Sequence, residues 1–285
     1  MNISYIMHHY IRRIIIEVYS FIWLPQIQPS HKSIDVVIPI IPKDLKILPL
    51  CLQGLRRNVR NEICNIYIVA PYNEEIIQFC HEKSIKFIDE TSVLGFSPRD
   101  LNLIVRSSNG RMGNRSGWLF QQLLKLSGNI GTCEHYLCID ADHILVRPLT
   151  FLDEQDKPVF YLSKEHNKPY YDNIEKLMGY RINPVLSYVA HKMLFSRTDI
   201  DRLHSIIEKR FRDKKWWEVI VDCYDKSQFA GFSEFELYGD FVIKKLHRPW
   251  KDIAMPYSKI MDFEILQKKY GSRYNSVTFP DYFNE

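Results

Sequence analysis

The sequence lacks any stretch close to the roughly 18 uncharged apolar residues that a membrane-spanning helix requires. No Cys-x-x-Cys pair occurs among its six cysteines, at Cys51, Cys64, Cys80, Cys133, Cys138 and Cys223, so a zinc ribbon is excluded. Lys and Arg form nothing longer than pairs such as Arg12-Arg13 and Lys244-Lys245, and the formal charge is only +4 over 285 residues. Nucleic acid is therefore not an expected partner. No internal repeat and no low-complexity tract is found. The segment from Met1 to Leu24 is broken by Arg12, Arg13 and Glu17 and has no short uncharged core followed by small residues, which makes it a poor signal peptide. Cys64, Cys80 and Cys138 lie in or beside apolar runs; free, buried, reduced thiols are expected, and with them a cytoplasmic protein.

What is present is an ordinary globular composition, 46% apolar and 25% charged. The length suffices for a large α/β domain. Ile11, Ile14, Ile15, Val18 and Ile22 recur at helical spacing near the start. Two readings stand: a helix packed on the domain, or an interfacial helix with Trp23 and two arginines, peripheral at the inner face of the cytoplasmic membrane. Pro25 to Lys32 reads as a linker. Ile34 to Ile41 is a nearly continuous β-branched run, as in a strand covered on both faces. Leu48 to Val59 is helical, Asn65 to Ala70 a second strand, Glu74 to Lys83 a helix, Ile85 to Ile88 a third strand and Tyr136 to Ile139 another. This alternation predicts βαβ units and a mainly parallel sheet flanked by helices. The second half is less regular. It holds an excursion from Asp153 to Tyr180 and a strand-like Leu186 to Phe195. A helix to Phe211 is opened by Ser196 with Asp199 or by Thr198 with Asp201, and another helix runs from Ser233 to Leu246.

The segment Tyr136 to Asp142 carries the chemistry. A hydrophobic strand drives two carboxylates, Asp140 and Asp142, out at its carboxyl end, where open α/β sheets bind ligands. Two carboxylates one residue apart can share a hard cation such as Mg²⁺ or Mn²⁺. Such a cation bridges the phosphate oxygens of a nucleoside diphosphate. The loop from Asn109 to Asn114 precedes a helix that Ser116 is expected to cap. Arg111 and Arg115, just before that helix, stand where a diphosphate or an acidic acceptor would be met. Gln122 either hydrogen-bonds a sugar hydroxyl or is a satisfied structural amide. In the helix from Ser233, Glu234 falls on the side of Leu237, Tyr238, Phe241 and Val242, while Glu236 falls nearly opposite and closes a capping box with Ser233. A carboxylate on the apolar side needs a partner or a task, and Glu234 is the expected general base.

Asp35-Val36-Val37-Ile38-Pro39 with Asp44 resembles the opening strand and nucleotide loop of GT-A glycosyltransferases. Together with Gly117 to Leu126, Asp140-Ala141-Asp142 and Phe232 to Gly239, it is similar to the DUF6492 family of GT-A-like proteins. The resemblance runs from about Ile34 to about Trp250. It implies a single GT-A-like, Rossmann-type α/β domain: residues 1–32 a helix and linker, 33–145 a nucleotide-sugar half, 146–250 an acceptor half, and 251–285 an aromatic, loop-rich tail. It implies sugar transfer from a nucleotide sugar, expected to be UDP-linked, to a saccharide or lipid-linked saccharide acceptor of a bacterial surface glycan. Pro39 and Asp44 would line the nucleotide. His191 would lie toward the acceptor, and His247 would be a third metal ligand with Arg248 beside it for a phosphate. Two rivals are a non-catalytic nucleotide- or sugar-binding module on the same fold and a HAD-type phosphatase. The latter expects Thr or Val where Ile144 stands and an aspartate pair near the start of its domain.

Overall fold

The computed structural model describes residues 3–22, 25–107, 110–212 and 214–280, without the side chains of residues 3–9. Met1, Trp23, Leu24 and Asn109, which entered the sequence reading, lie outside the described residues.

An N-terminal helix α1 (Ile3–Phe21) leads into β1 (Ile34–Pro39), α2 (Leu48–Asn58), β2 (Ile63–Ala70), α3 (Glu74–Glu82), β3 (Lys86–Asp89) and the short α4 (Glu90–Leu94). A hairpin of β4 (Ile104–Arg106) and β5 (Met112–Asn114) precedes α5 (Ser116–Lys125), β6 (His135–Ile139) and β7 (His143–Leu145). The second half adds β8 (Val159–Leu162), α6 (Lys168–Met178), β9 (Lys192–Ser196), α7 (Arg197–Arg210), α8 (Trp216–Cys223) and α9 (Glu234–Phe241). After these come β10 (Leu246–Pro249), β11 (Asp252–Ala254), α10 (Phe263–Tyr270) and β12 (Ser276–Thr278).

The main sheet has the order β3-β2-β1-β6-β9. Its first four strands are parallel and β9 runs antiparallel to β6. All six residues of β1 are buried, as a β-branched run covered on both faces requires. Strand alternation divides the core. Val37, Val69 and Cys138 pack toward α5, α6 and α7, while Val36, Ile38 and Ile68 pack toward α2 and α3. Local chemistry sets the ends of several elements. The Asn73 side chain accepts the Ile76 N–H at 3.0 Å and starts α3. Ser196, the first of the two expected caps, accepts the Asp199 N–H at 3.2 Å and starts α7. Gly179, with φ of +80°, ends α6 in the left-handed region.

The structure corrects several expectations. Ser116 does not cap α5: it is the first helical residue, its Oγ accepts the Leu103 N–H, and its own N–H goes to the Asn114 side chain. The strand expected over Leu186 to Phe195 begins only at Lys192, because the chain turns at His191, whose φ is +59°. The helix expected to Leu246 stops at Phe241, where Val242 turns extended. The tail is not loop-rich: β11 and β12 join β7 in a three-stranded sheet, and α10 packs Phe263 and Leu266 beneath it. All six cysteines are free, but Cys64 is exposed rather than buried. Among its described side chains, the N-terminal helix packs by one side. Ile16 is buried, Tyr19 donates to the His247 carbonyl at 3.0 Å, and Glu17 pairs with Lys251 at 2.6 Å. No helix among the described residues is long and apolar enough to cross a membrane.

Candidate functional site

Strand β6 ends at Ile139, and the chain turns at once through a bond from the His143 N–H to the Asp140 carbonyl, at 3.1 Å. Asp140 and Asp142 therefore stand at the carboxyl end of the parallel strands. Neighbouring β1 pairs Val37 with Cys138, and the same register carried two residues on sets Pro39 level with Asp140. Asp44 follows in a one-turn 3₁₀ helix, where its Oδ2 accepts the Ile41 N–H at 2.9 Å. The three carboxylates crowd one another. Burial, then the charge of Asp140 and, more weakly, that of Asp44, push Asp142 up to about 6; burial raises Asp44 as well.

The antiparallel run of β9 brings His191 to this edge. Lys192 pairs with Ile139, so the residue before β9 meets the residue after β6, and the Asp140 N–H bonds the His191 carbonyl at 3.0 Å. A parallel strand would have set His191 at the opposite end. The His191 Nδ1 lies 3.0 Å from Asp140 Oδ2, and its ring stacks on His143 with centroids 4.3 Å apart. Burial opposes its charge, but the bond to Asp140 and that carboxylate's charge prevail and lift His191 to about 9. His143 is buried, and its Nδ1 has no hydrogen-bond partner.

Lys125, at the end of α5, completes the cluster. Its ammonium is buried and lies 2.7 Å from Asp140 Oδ1 and 2.8 Å from Glu234 Oε1. Burial would raise Asp140, yet Lys125 and His191 hold it well below the usual carboxylate range. Glu234 thus has the partner that its buried position demands. The Gln122 Oε1 accepts the Glu234 N–H at 3.2 Å, while its buried amide nitrogen has no hydrogen-bond partner, so one of its polar atoms is satisfied and the other is not. Glu236 is corrected. It is fully buried rather than on an open face, and only half of the capping box forms, with Ser233 accepting its N–H at 3.3 Å. Its carboxylate instead accepts from Ser187 at 2.5 Å and Tyr171 at 3.2 Å.

Other candidates lie apart. The His247 Nε2 meets the Tyr188 hydroxyl at 3.3 Å, and Lys245 is the charge that acts on its ring, so the fold does not bring it to Asp140 and Asp142. Arg248 donates to the Pro25 carbonyl at 3.1 Å. Arg111 stacks on Phe229 and Arg115 on Trp118. Beside His191 opens a cleft of about 500 Å³ whose wall includes Glu165, and burial raises this carboxyl. Lys125, His143 and Glu165 were missed by the sequence reading. A signal existed for Lys125, the lone charge in the run from Leu119 to Leu126, and for His143, which directly follows the aspartate pair.

The donor set suits a hard divalent cation. Asp142 is crowded by like charge, each Asp140 oxygen retains acceptor capacity, and the His143 Nε2 lies 3.8 Å from Asp142 Oδ1. Among the described residues the tightest gathering of three such donors is elsewhere: Asp35, Cys64 and Cys133 lie within 4.8 Å of one another at the other end of β1. There the Asp35 carboxylate already accepts the Thr132 and Cys133 N–H groups and the Asn65 amide, which fixes the loop before β6.

Comparison with known proteins places residues 31–261 within DUF6492, described as a family of unknown function. No curated protein matches the chain. Among solved structures, the chain is similar to the galactosyltransferase LgtC in complex with donor and acceptor sugar analogs. That likeness has 12% identity, covers 86% of this chain and 87% of that one, and has a TM-score of 0.43. It is also similar to the apo form of mouse xyloside xylosyltransferase 1, with 9% identity, 86% and 97% covered, and a TM-score of 0.48. The apo-form glycosyltransferase GlyE of Streptococcus pneumoniae TIGR4 shares 16% identity over 67% of this chain and 43% of that one, with a TM-score of 0.32.

Proposed function

The chain belongs to the DUF6492 family, and we propose that it is a metal-dependent glycosyltransferase. It would move a sugar from a nucleotide sugar, UDP-linked, to a saccharide or lipid-linked saccharide acceptor of a bacterial surface glycan, at the inner face of the cytoplasmic membrane. The observation that carries this reading is the convergence of Asp44, Asp140 and Asp142 at the carboxyl ends of β1 and β6, with His143 and His191 beside them. Asp140 and Asp142 would hold Mn²⁺ or Mg²⁺, with His143 as the nearest imidazole. The cation would neutralise charge on the departing diphosphate. In the transfer, the anomeric carbon–oxygen bond to the diphosphate breaks with its electron pair leaving on the diphosphate, a bond to an acceptor oxygen forms, and that hydroxyl's proton passes to the departing diphosphate or to solvent.

The chain's own groups supply position and charge. Lys125 fixes Asp140 and carries positive charge into the site. Glu234, expected as the general base, is assigned a positioning role, because its Oε1 is bound to Lys125. Glu165, on the wall of the cleft beside His191, is the carboxylate facing the acceptor side. Pro39 and Asp44 would border the nucleotide.

The test is a panel of nucleotide sugars incubated with the protein and Mn²⁺, reading release of nucleoside diphosphate. Release that needs the metal and disappears in Asp142→Asn is expected. No release from any donor, or metal-independent cleavage of simple phosphoesters, overturns the reading.

A further inference from the structure

The outer side of α1 is apolar and exposed. Ile11, Ile14, Val18, Phe21 and Ile22 all face solvent, Ile14 at 60% and Phe21 at 84% exposure. At about 100° per residue these five fall within an arc of about 100°. The opposite side holds the buried Ile16, and Tyr19 and Glu17 on the two flanks tie the helix to the domain. The helix is therefore locked in rotation, with a continuous apolar stripe held outward. A contiguous stripe of this kind marks an interaction surface.

Charge identifies what meets it. Phe21 and Ile22, at the end of the stripe, line a cleft of about 850 Å³. The charged side chains of that cleft are Arg60, Arg147, Arg248, Lys251 and Arg273 against Glu17 alone. Arg13, which lies nearer to Ile16 than to the stripe around the helix, is exposed and borders the smaller cleft that opens at His191. An apolar stripe that ends at a cationic cleft suits a surface with an apolar interior and an anionic rim. We propose that the outer face of α1 docks on an anionic phospholipid bilayer, its stripe entering the acyl boundary and the neighbouring cations meeting headgroup phosphates. The helix lies on the bilayer and does not cross it, in keeping with its charges. The docking does not rest on the glycosyl-transfer reading.

Co-sedimentation with vesicles of phosphatidylcholine containing phosphatidylglycerol, against vesicles of phosphatidylcholine alone, tests the docking without any assay of activity. Binding to the anionic vesicles that weakens with added salt is expected. Ile14→Asp with Phe21→Asp should reduce it at least tenfold while the unfolding midpoint stays that of wild type, since both side chains are exposed. Arg13→Glu should weaken binding on its own. Absence of vesicle binding by the wild type overturns the proposal even if the enzyme transfers sugar. So does equal binding by the double variant. A wild type that sediments as a dimer and ignores vesicles, while the double variant is monomeric, would assign the stripe to a second copy of the chain and overturn it too.

Discussion

Glu236→Gln should make the protein more stable relative to wild type as pH rises. Glu236 is buried within α9, and burial, only partly opposed by the Ser187 hydroxyl, the Tyr188 backbone and the Tyr171 hydroxyl, pushes its carboxyl from the ordinary 4.5 to about 7. One of its oxygens has no partner. Because the folded-state value lies above the unfolded one, the folded state holds this proton more tightly. The stability that Glu236 contributes is fully present below about 4.5 and is lost as pH climbs through about 7. A gap of about two and a half pH units corresponds to about 3 kcal/mol at 1.36 kcal/mol per unit. Glutamine does not titrate, and its carbonyl can still accept from Ser187 and Tyr171. The unfolding free energy of the variant minus that of wild type should therefore increase by about 3 kcal/mol between pH 4.5 and 8. The subtraction removes the titrations of His143 and Asp142, which both proteins share. Urea unfolding at the two pH values measures it. A difference that stays constant, or that shrinks as pH rises, would refute the reasoning.

Lys125→Met leaves Asp140 and the buried Glu234 without their cation, and should destabilise the metal-free protein by roughly 3–5 kcal/mol in chemical denaturation; a loss below about 1 kcal/mol would mean that the bridge is marginal, like a surface ion pair. Asp142→Asn keeps the side-chain shape and removes the charge, so the thermal stabilisation that Mn²⁺ and a nucleotide sugar give the wild type should vanish; an unchanged midpoint shift would move the metal elsewhere. His247→Ala should leave Mn²⁺ affinity within about twofold, since its ring meets Tyr188 rather than the aspartates; a loss of tenfold or more would return His247 to the metal. Glu234→Gln should weaken Mn²⁺ affinity together with turnover, because its effect passes through Lys125 to Asp140; a fall in turnover alone would restore the general-base role.

The parallel sheet and the aspartate pair were legible because both are local. A β-branched run such as Ile34 to Ile41 declares a buried strand, and Asp140-Ala141-Asp142 directly follows one. The partners of those aspartates were not legible, because they arrive by topology. His191 reaches Asp140 only because β9 is antiparallel, and strand direction leaves no mark in the apolar pattern of residues 186–195. Glu234 is buried, as a carboxylate among Leu237 and Tyr238 would be, but its task depended on Lys125, which a helical wheel of residues 233–246 cannot include. Glu236 was misread because α9 is buried on every side. A two-sided wheel assumes that one side faces water. The C-terminal strands were missed because three-residue strands carry too little periodicity to register.

The last strand of the fold also sets a schedule. The Phe279 N–H bonds the carbonyl of Asp142, and β12 holds β7 in register directly after the aspartate pair. A ribosome adding about 5–20 residues per second needs on the order of ten seconds to travel between those two positions. Throughout that interval the nascent chain carries its carboxylates on a loop without its closing partner. The site is thus assembled late, by the segment that emerges well after the sheet is complete, so truncation before β12 should yield a chain with its central sheet intact and its aspartate loop unclamped.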